Sequence, residues 1–220
     1  MNKFIAKKAT NEEEEITNLF HRIYYKSRSQ TWGNTFWLGI PTMKCPFDLW
    51  IYQEIIFELK PDIIIETGTA DGGSALFLAS ICDSVDKGQI ITIDIDNKVG
   101  RPRHKRIKYL RGSSTSEEII KQVKKSISDK DIVLVILDSD HSKEHVLNEL
   151  KIYSKFINKG SYIIVEDTNV NGHPVFVEHG LGPMEAVEDF LNMNNDFVID
   201  NTKEKFYLTF NPSGYLRKIK

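Results

Sequence analysis

Two short acidic runs carry the chemistry that can be read from this 220-residue chain. Asp138-Ser139-Asp140-His141 follows the apolar run Ile132 to Leu137, and Glu166-Asp167 follows Tyr162-Ile163-Ile164-Val165. Asp138, Glu166 and Asp167 offer only oxygen ligands from neighbouring strands, which suits Mg²⁺ or a similar hard cation. Asp140 can ligate in place of Asp138, or support His141. His141 titrates near neutrality and can serve as a general base if its loop turns it toward a substrate. His145 lies one helical turn further on, as a supporting group or an exposed one, and His173 carries a weaker signal.

A third stretch supplies a place for a ligand. Asp62-Ile63-Ile64-Ile65-Glu66-Thr67-Gly68-Thr69-Ala70-Asp71-Gly72-Gly73-Ser74 reads as a buried strand, a glycine turn and the start of a helix reaching about Cys82. Glycines there permit a tight turn with close backbone approach, and free N–H groups at a helix start hold an anion. The spacing Glu66-x-Gly68-x-x-x-Gly72-Gly73-Ser74 differs from the G-x-G-x-x-G of dinucleotide sites. Gln89 to Asp94 is the next strand, and Asp94, about 26 residues after Gly68, can accept from ribose hydroxyls. Asp96 is the alternative.

Those residues need an α/β frame. Ile107 to Leu110 is a third strand that delivers Gly112-Ser113-Ser114 to the same edge. A helix with Ile119, Ile120 and Val123 leads to the strand ending at Asp138. A further helix from about Lys143 to Phe156 stops before Gly160. In such a sheet the strand C-termini share one edge, so Glu66, Asp94, Asp138, Glu166 and Asp167 meet there. So many carboxylates repel one another unless a cation or cationic ligand is present.

The remaining elements frame that edge. Asn11 followed by four glutamates starts a helix, with Ile16, Leu19, Phe20, Ile23 and Tyr24 at helical spacing. Residues 31–48 are dense in aromatic and turn residues, either packed across the domain or forming part of a substrate cleft. Pro46 to Leu59 is a helix, Thr168 to Pro183 a candidate lid, and Met184 to Leu191 a helix. Phe197 to Asp200 and Phe206 to Phe210 are expected to close the sheet as an antiparallel hairpin. Residues 1–60 would then supply part of the substrate cleft and residues 61–220 the cofactor-binding core, in one compact domain.

Composition narrows the function classes. A net charge of -2 gives no bulk attraction to nucleic acid or acidic membranes. Two cysteines make no disulfide framework, and no apolar run is long enough to span a bilayer, so a soluble protein of the reducing cytoplasm is expected. Nothing in the residues excludes a homo-oligomer.

The run Glu66 to Ser74, with Ile91-Thr92-Ile93-Asp94, Leu137 to His141 and Val165-Glu166-Asp167-Thr168-Asn169, resembles the cephalosporin hydroxylase-like family over roughly residues 30 to 215. That family has the class I S-adenosylmethionine (SAM) methyltransferase fold and is related to metal-dependent O-methyltransferases of macrolide sugars and rhamnose. The resemblance implies SAM and Mg²⁺ as cofactors and a small-molecule or glycan acceptor with a hydroxyl or vicinal diol. It places Glu66, Gly68, Thr69, Gly72, Ser74, Asp94, Ser113, Ser114 and Asp138 around SAM. Asp138, Glu166 and Asp167 match the metal ligands, and His141 matches the base. Catechol O-methyltransferase is a more distant likeness, with lysine where this chain has His141. No His-x-Asp…His iron triad accompanies the family's name. A catalytically silent SAM-binding accessory protein and a nucleotide-sugar oxidoreductase are the competing readings.

Overall fold

The computed structural model describes residues 10–27 and 31–220. The polar stretch ahead of Thr10 and the start of the resemblance at residue 30 lie outside the described residues. In chain order the elements are α1 (Asn11–Tyr25), β1 (Phe36–Trp37), β2 (Ile40–Pro41), α2 (Pro46–Leu59), β3 (Ile63–Thr67), α3 (Gly73–Ser84), β4 (Gln89–Asp94), β5 (Ile107–Arg111), α4 (Glu117–Lys125), β6 (Val133–Leu137), α5 (Lys143–Tyr153), β7 (Tyr162–Val165), α6 (Pro183–Met193), β8 (Phe197–Ile199) and β9 (Tyr215–Lys218).

Alternation along the central strands explains the layers. Successive side chains of a strand point to opposite faces. Ile64 therefore packs with Ile51, Ile55 and Leu78 of α2 and α3, while Ile63 and Ile65 join Val146, Leu150 and Tyr153 of α5 on the other face. The seven strands run in the order β5-β4-β3-β6-β7-β9-β8. The first five are parallel, and β9 inserts antiparallel between β7 and β8. This is the expected α/β sheet with helices on both faces.

The closing hairpin differs from expectation. β8 pairs with Tyr215–Lys218, and Phe206 to Phe210 is not a strand. Asp48 of α2 is the reason. Its carboxylate accepts from Thr209 Oγ1 (2.5 Å), the Phe210 backbone N–H (2.9 Å) and the Tyr215 hydroxyl (2.8 Å). The segment's polar groups are thus satisfied in a buried loop without a ladder.

Two expectations for α1 change as well. Thr10, not Asn11, is the N-cap, and it forms a reciprocal capping box with Glu13. Ile16, Leu19, Phe20 and Ile23 face outward, while His21 is buried beneath them. His21 Nε2 lies 2.9 Å from Asn169 Nδ2, and its ring stacks on Phe210. Among the described residues, no helix is long and apolar enough to cross a membrane.

Candidate active site

A cavity of about 690 Å³ opens at the C-terminal edge of the parallel strands. Its wall gathers Gly68, Thr69 and Ala70 after β3, Asp94 and Asp96 after β4, and Gly112, Ser113 and Ser114 after β5. Asp138, His141 and Asp167 line the part below β6 and β7. The aromatic segment divides between its two readings: Trp32, Pro41, Thr42 and Met43 line the cavity, but Trp37 is held on α3 by Ser80 and Phe77.

The glycine turn works differently from its sequence reading. A side chain on Gly68 would start 1.7 Å from the Asp138 carbonyl oxygen, so this glycine lets two strand ends close on each other. Gly72 faces Pro102 and Tyr109 and is not part of the cavity wall. Glu66 is likewise buried beneath the turn, accepting from Thr92 Oγ1 at 2.5 Å, with Thr69 Oγ1 2.7 Å from the same hydroxyl. Gly73 and Ser74 do line the cavity, at the start of a helix that no side chain caps. Uncapped first-turn N–H groups are suited to a carboxylate.

Asp94 is occupied by its own loop and by the turn after β3. Its Oδ2 accepts from Ala70 N–H (2.8 Å) and the Arg101 guanidinium (3.0 Å), and its Oδ1 from Asp96 N–H (2.8 Å). Asp96 is exposed on the same wall. Ser114 hydrogen-bonds His145 (3.1 Å), which also reaches Ser139 (3.1 Å), while Ser113 bonds to Thr115. His145 thus braces the β5 and β6 loops. Asp140 accepts from the N–H of Ser142, the N-cap of α5. His173 pairs with Glu185, and no residue from 168 to 183 lines the cavity.

The acid edge holds a cation of the chain's own. Lys44, from the segment between β2 and α2, is 4% exposed and ion-paired to both Asp138 Oδ2 and Glu166 Oε1. His141 bridges the other side, with Nε2 3.3 Å from Asp138 Oδ1 and Nδ1 3.4 Å from Asp167 Oδ2. Burial opposes charge on His141, but Asp138 and Asp167 outweigh it and carry its pKa up to about 9. Burial also opposes the Asp138 anion, and Lys44 with His141 outweighs it, holding that carboxyl below the usual range. Asp167 sits at a left-handed φ of 54°, its N–H donated to Asn211 Oδ1 at 3.1 Å. Asn211, fully buried in the 206–214 loop, therefore supports the site, since a strained non-glycine residue needs such a hold.

The edge suits a divalent cation. Asp138, His141 and Asp167 each offer one ligand atom, all within 4.8 Å of one another. Glu166 is turned to Lys44 and stands outside that group and outside the cavity wall. Lys44 was missed in the sequence because it sits in a short irregular segment, 94 residues before Asp138. The only signal was the demand of the acidic edge for positive charge.

Residues 29–219 match the family model described as Rhamnosyl O-methyltransferase/CmcI. The chain is 36% identical to a rhamnosyl O-methyltransferase of Mycobacterium tuberculosis, over 97% of this chain and 89% of that protein. The Mycobacterium leprae rhamnosyl O-methyltransferase is also 36% identical, over 92% and 90%. A solved CmcI structure described with Mg and SAM superposes with a TM-score of 0.66 at 20% identity, covering 86% of this chain and 78% of that one. At that identity the likeness establishes the fold.

Proposed function

The chain belongs to the Rhamnosyl O-methyltransferase/CmcI family and is a SAM-dependent O-methyltransferase; from that premise we propose that its acceptor is a sugar hydroxyl, a rhamnosyl group first among candidates, and that a divalent cation serves at the acid edge. The observation that carries this reading is one cavity lined by two sets of groups. Gly73, Ser74 and the Asp94 loop are suited to a cofactor, and Asp138, His141 and Asp167 to a cation and a proton transfer.

When bound, SAM supplies an electrophilic methyl group, and a divalent cation such as Mg²⁺ makes a neighbouring hydroxyl easier to deprotonate. The chain's own residues do the rest. The first turn of α3 receives the methionine carboxylate, and the loop that Asp94 organises receives the ribose, with Ser113 and Ser114 beside the adenine. Asp138 and Asp167 would hold the cation, with Glu166 behind them. His141 takes the acceptor's proton. Its pKa of about 9 reflects burial outweighed by the Asp138 and Asp167 carboxylates on either side of the ring. Sharing those carboxylates with a cation removes the cause of the elevation and makes the neutral base available. Trp32 and Met43 face the same cavity from the N-terminal segment and give an acceptor an apolar wall. Holding acceptor and donor in line supplies much of the rate.

The test is a screen of sugar acceptors, rhamnosides included, with methyl-labelled SAM and with Mg²⁺ present or chelated. Label transferred to a sugar oxygen supports the reading. Transfer only to non-sugar acceptors would move the assignment to another hydroxyl class.

A further inference from the structure

Building on the reading that a divalent cation serves this edge, we propose that Lys44 is a resident counter-cation that competes with that ion for Asp138 and Glu166.

The anchoring of Lys44 is rigid. Its backbone N–H donates to Thr35 Oγ1 at 3.1 Å, and the next residue, Cys45, is buried at the start of α2. The side chain therefore enters the acid edge from a fixed point, and its ammonium touches Asp138 and Glu166 while standing behind the cavity wall. Asp138 is shared: one oxygen faces Lys44, the other His141. Asp138, Glu166 and Asp167 bring three carboxylates against the Lys44 ammonium, with His141 bridging Asp138 and Asp167 from the other side; once His141 gives up its proton, two negative charges remain for a dication to meet.

A dication drawing on Asp138 must share that carboxylate with a fixed positive charge, and one drawing on Glu166 must displace Lys44 from it. Burial leaves little water to screen the repulsion. Lys44 thus keeps the acid edge folded before the ion arrives, and holds the ion's affinity below that of three unpaired carboxylates. A purely supporting lysine would act the other way: its loss would disorder the carboxylates and weaken the ion.

Mn²⁺ binding to the full chain, read from the spin resonance signal of the free ion, separates these outcomes. The set is wild type, Lys44→Met, Lys44→Gln and Asp167→Asn. The expected result is Mn²⁺ bound at least about tenfold more tightly by both Lys44 variants, as loss of a contact-range like charge requires. Without metal those variants melt below wild type, and Mn²⁺ closes the gap. Lys44→Gln keeps a donor toward Asp138 and carries the comparison if Lys44→Met does not fold. Loss of binding in Asp167→Asn locates the ion at this edge. If wild type binds there but the folded Lys44 variants bind equally or less tightly, the role of Lys44 is overturned and the metal reading stands. If neither wild type nor the Lys44 variants take up Mn²⁺, both fail.

Discussion

The carbonyl oxygen of Asp138 lies 1.7 Å from where a Cβ on Gly68 would start. The turn after β3 and the acidic run after β6 are therefore in direct backbone contact. Gly68 also has a φ of +84°, which a side chain resists. Gly68→Ala should lower stability by on the order of 3 kcal/mol, combining strain and forced displacement. Gly72→Ala is the comparison, because its nearest obstacle is the Pro102 side chain at 3.0 Å. Thermal melts should place Gly68→Ala roughly 6–12 °C below wild type, the shift such a loss gives a chain of this size, and clearly below Gly72→Ala. Equal melting of the two variants would contradict the contact.

Asp94 should act on cofactor binding through the loop it organises. Its carboxylate already holds Ala70 N–H, Asp96 N–H and Arg101. Asp94→Ala should weaken SAM binding by about 1–3 kcal/mol, the scale of hydrogen bonds to a charged group, and Arg101→Gln should weaken it less. Calorimetric titration with SAM measures both. A loss confined to Asp96→Ala would assign ribose recognition to the exposed acid instead.

The seat of α1 is pH-sensitive by the same bookkeeping of charge and burial. Burial takes the pKa of His21 down to about 4 from its ordinary value of 6.5. The unfolded chain therefore binds the proton more readily between those values, so stability is complete above about pH 6.5 and falls as the pH drops toward about 4. The difference corresponds to roughly 3 kcal/mol. Urea unfolding of wild type and His21→Gln at pH 7, 5.5 and 4.5, about the range in which the linkage operates, should show this extra slope in wild type alone. Parallel pH profiles would remove His21 as its source.

His141→Gln separates proton transfer from binding. SAM affinity should be close to wild type, because His141 is not among the groups assigned to the methionine, ribose or adenine of SAM. Single-turnover methyl transfer should fall about 10²–10⁴-fold, the usual loss with a general base. Near-normal transfer would return His141 to a role in bracing Asp138 and Asp167.

Much of this arrangement was legible before the structure. Ile63-Ile64-Ile65 announced a strand buried on both faces, and the parallel frame then had to bring Asp94, Asp138 and Asp167 to one edge. What sequence could not supply were contacts between distant segments. Phe206 to Phe210 has the apolar content of a strand, but Asp48, over 160 positions away, captures its polar groups. Tyr215-Leu216 takes the ladder position with only two fully buried apolar residues. The stripe Ile16, Leu19, Phe20 and Ile23 has helical period, and period gives no information on which side of α1 is buried. The acidic edge was read as demanding a cation or a cationic ligand, and part of that demand is met instead by Lys44 of the chain itself, which no local pattern marks.

The most direct test of the central claim is methyl transfer from SAM to a sugar acceptor after complete chelation, followed by return of Mg²⁺. Wild type should lose turnover on chelation and regain it with Mg²⁺, while folded Asp167→Asn should regain little at the same ion concentration. Full turnover by chelated, metal-free wild type would contradict the account of the Asp138–His141–Asp167 edge.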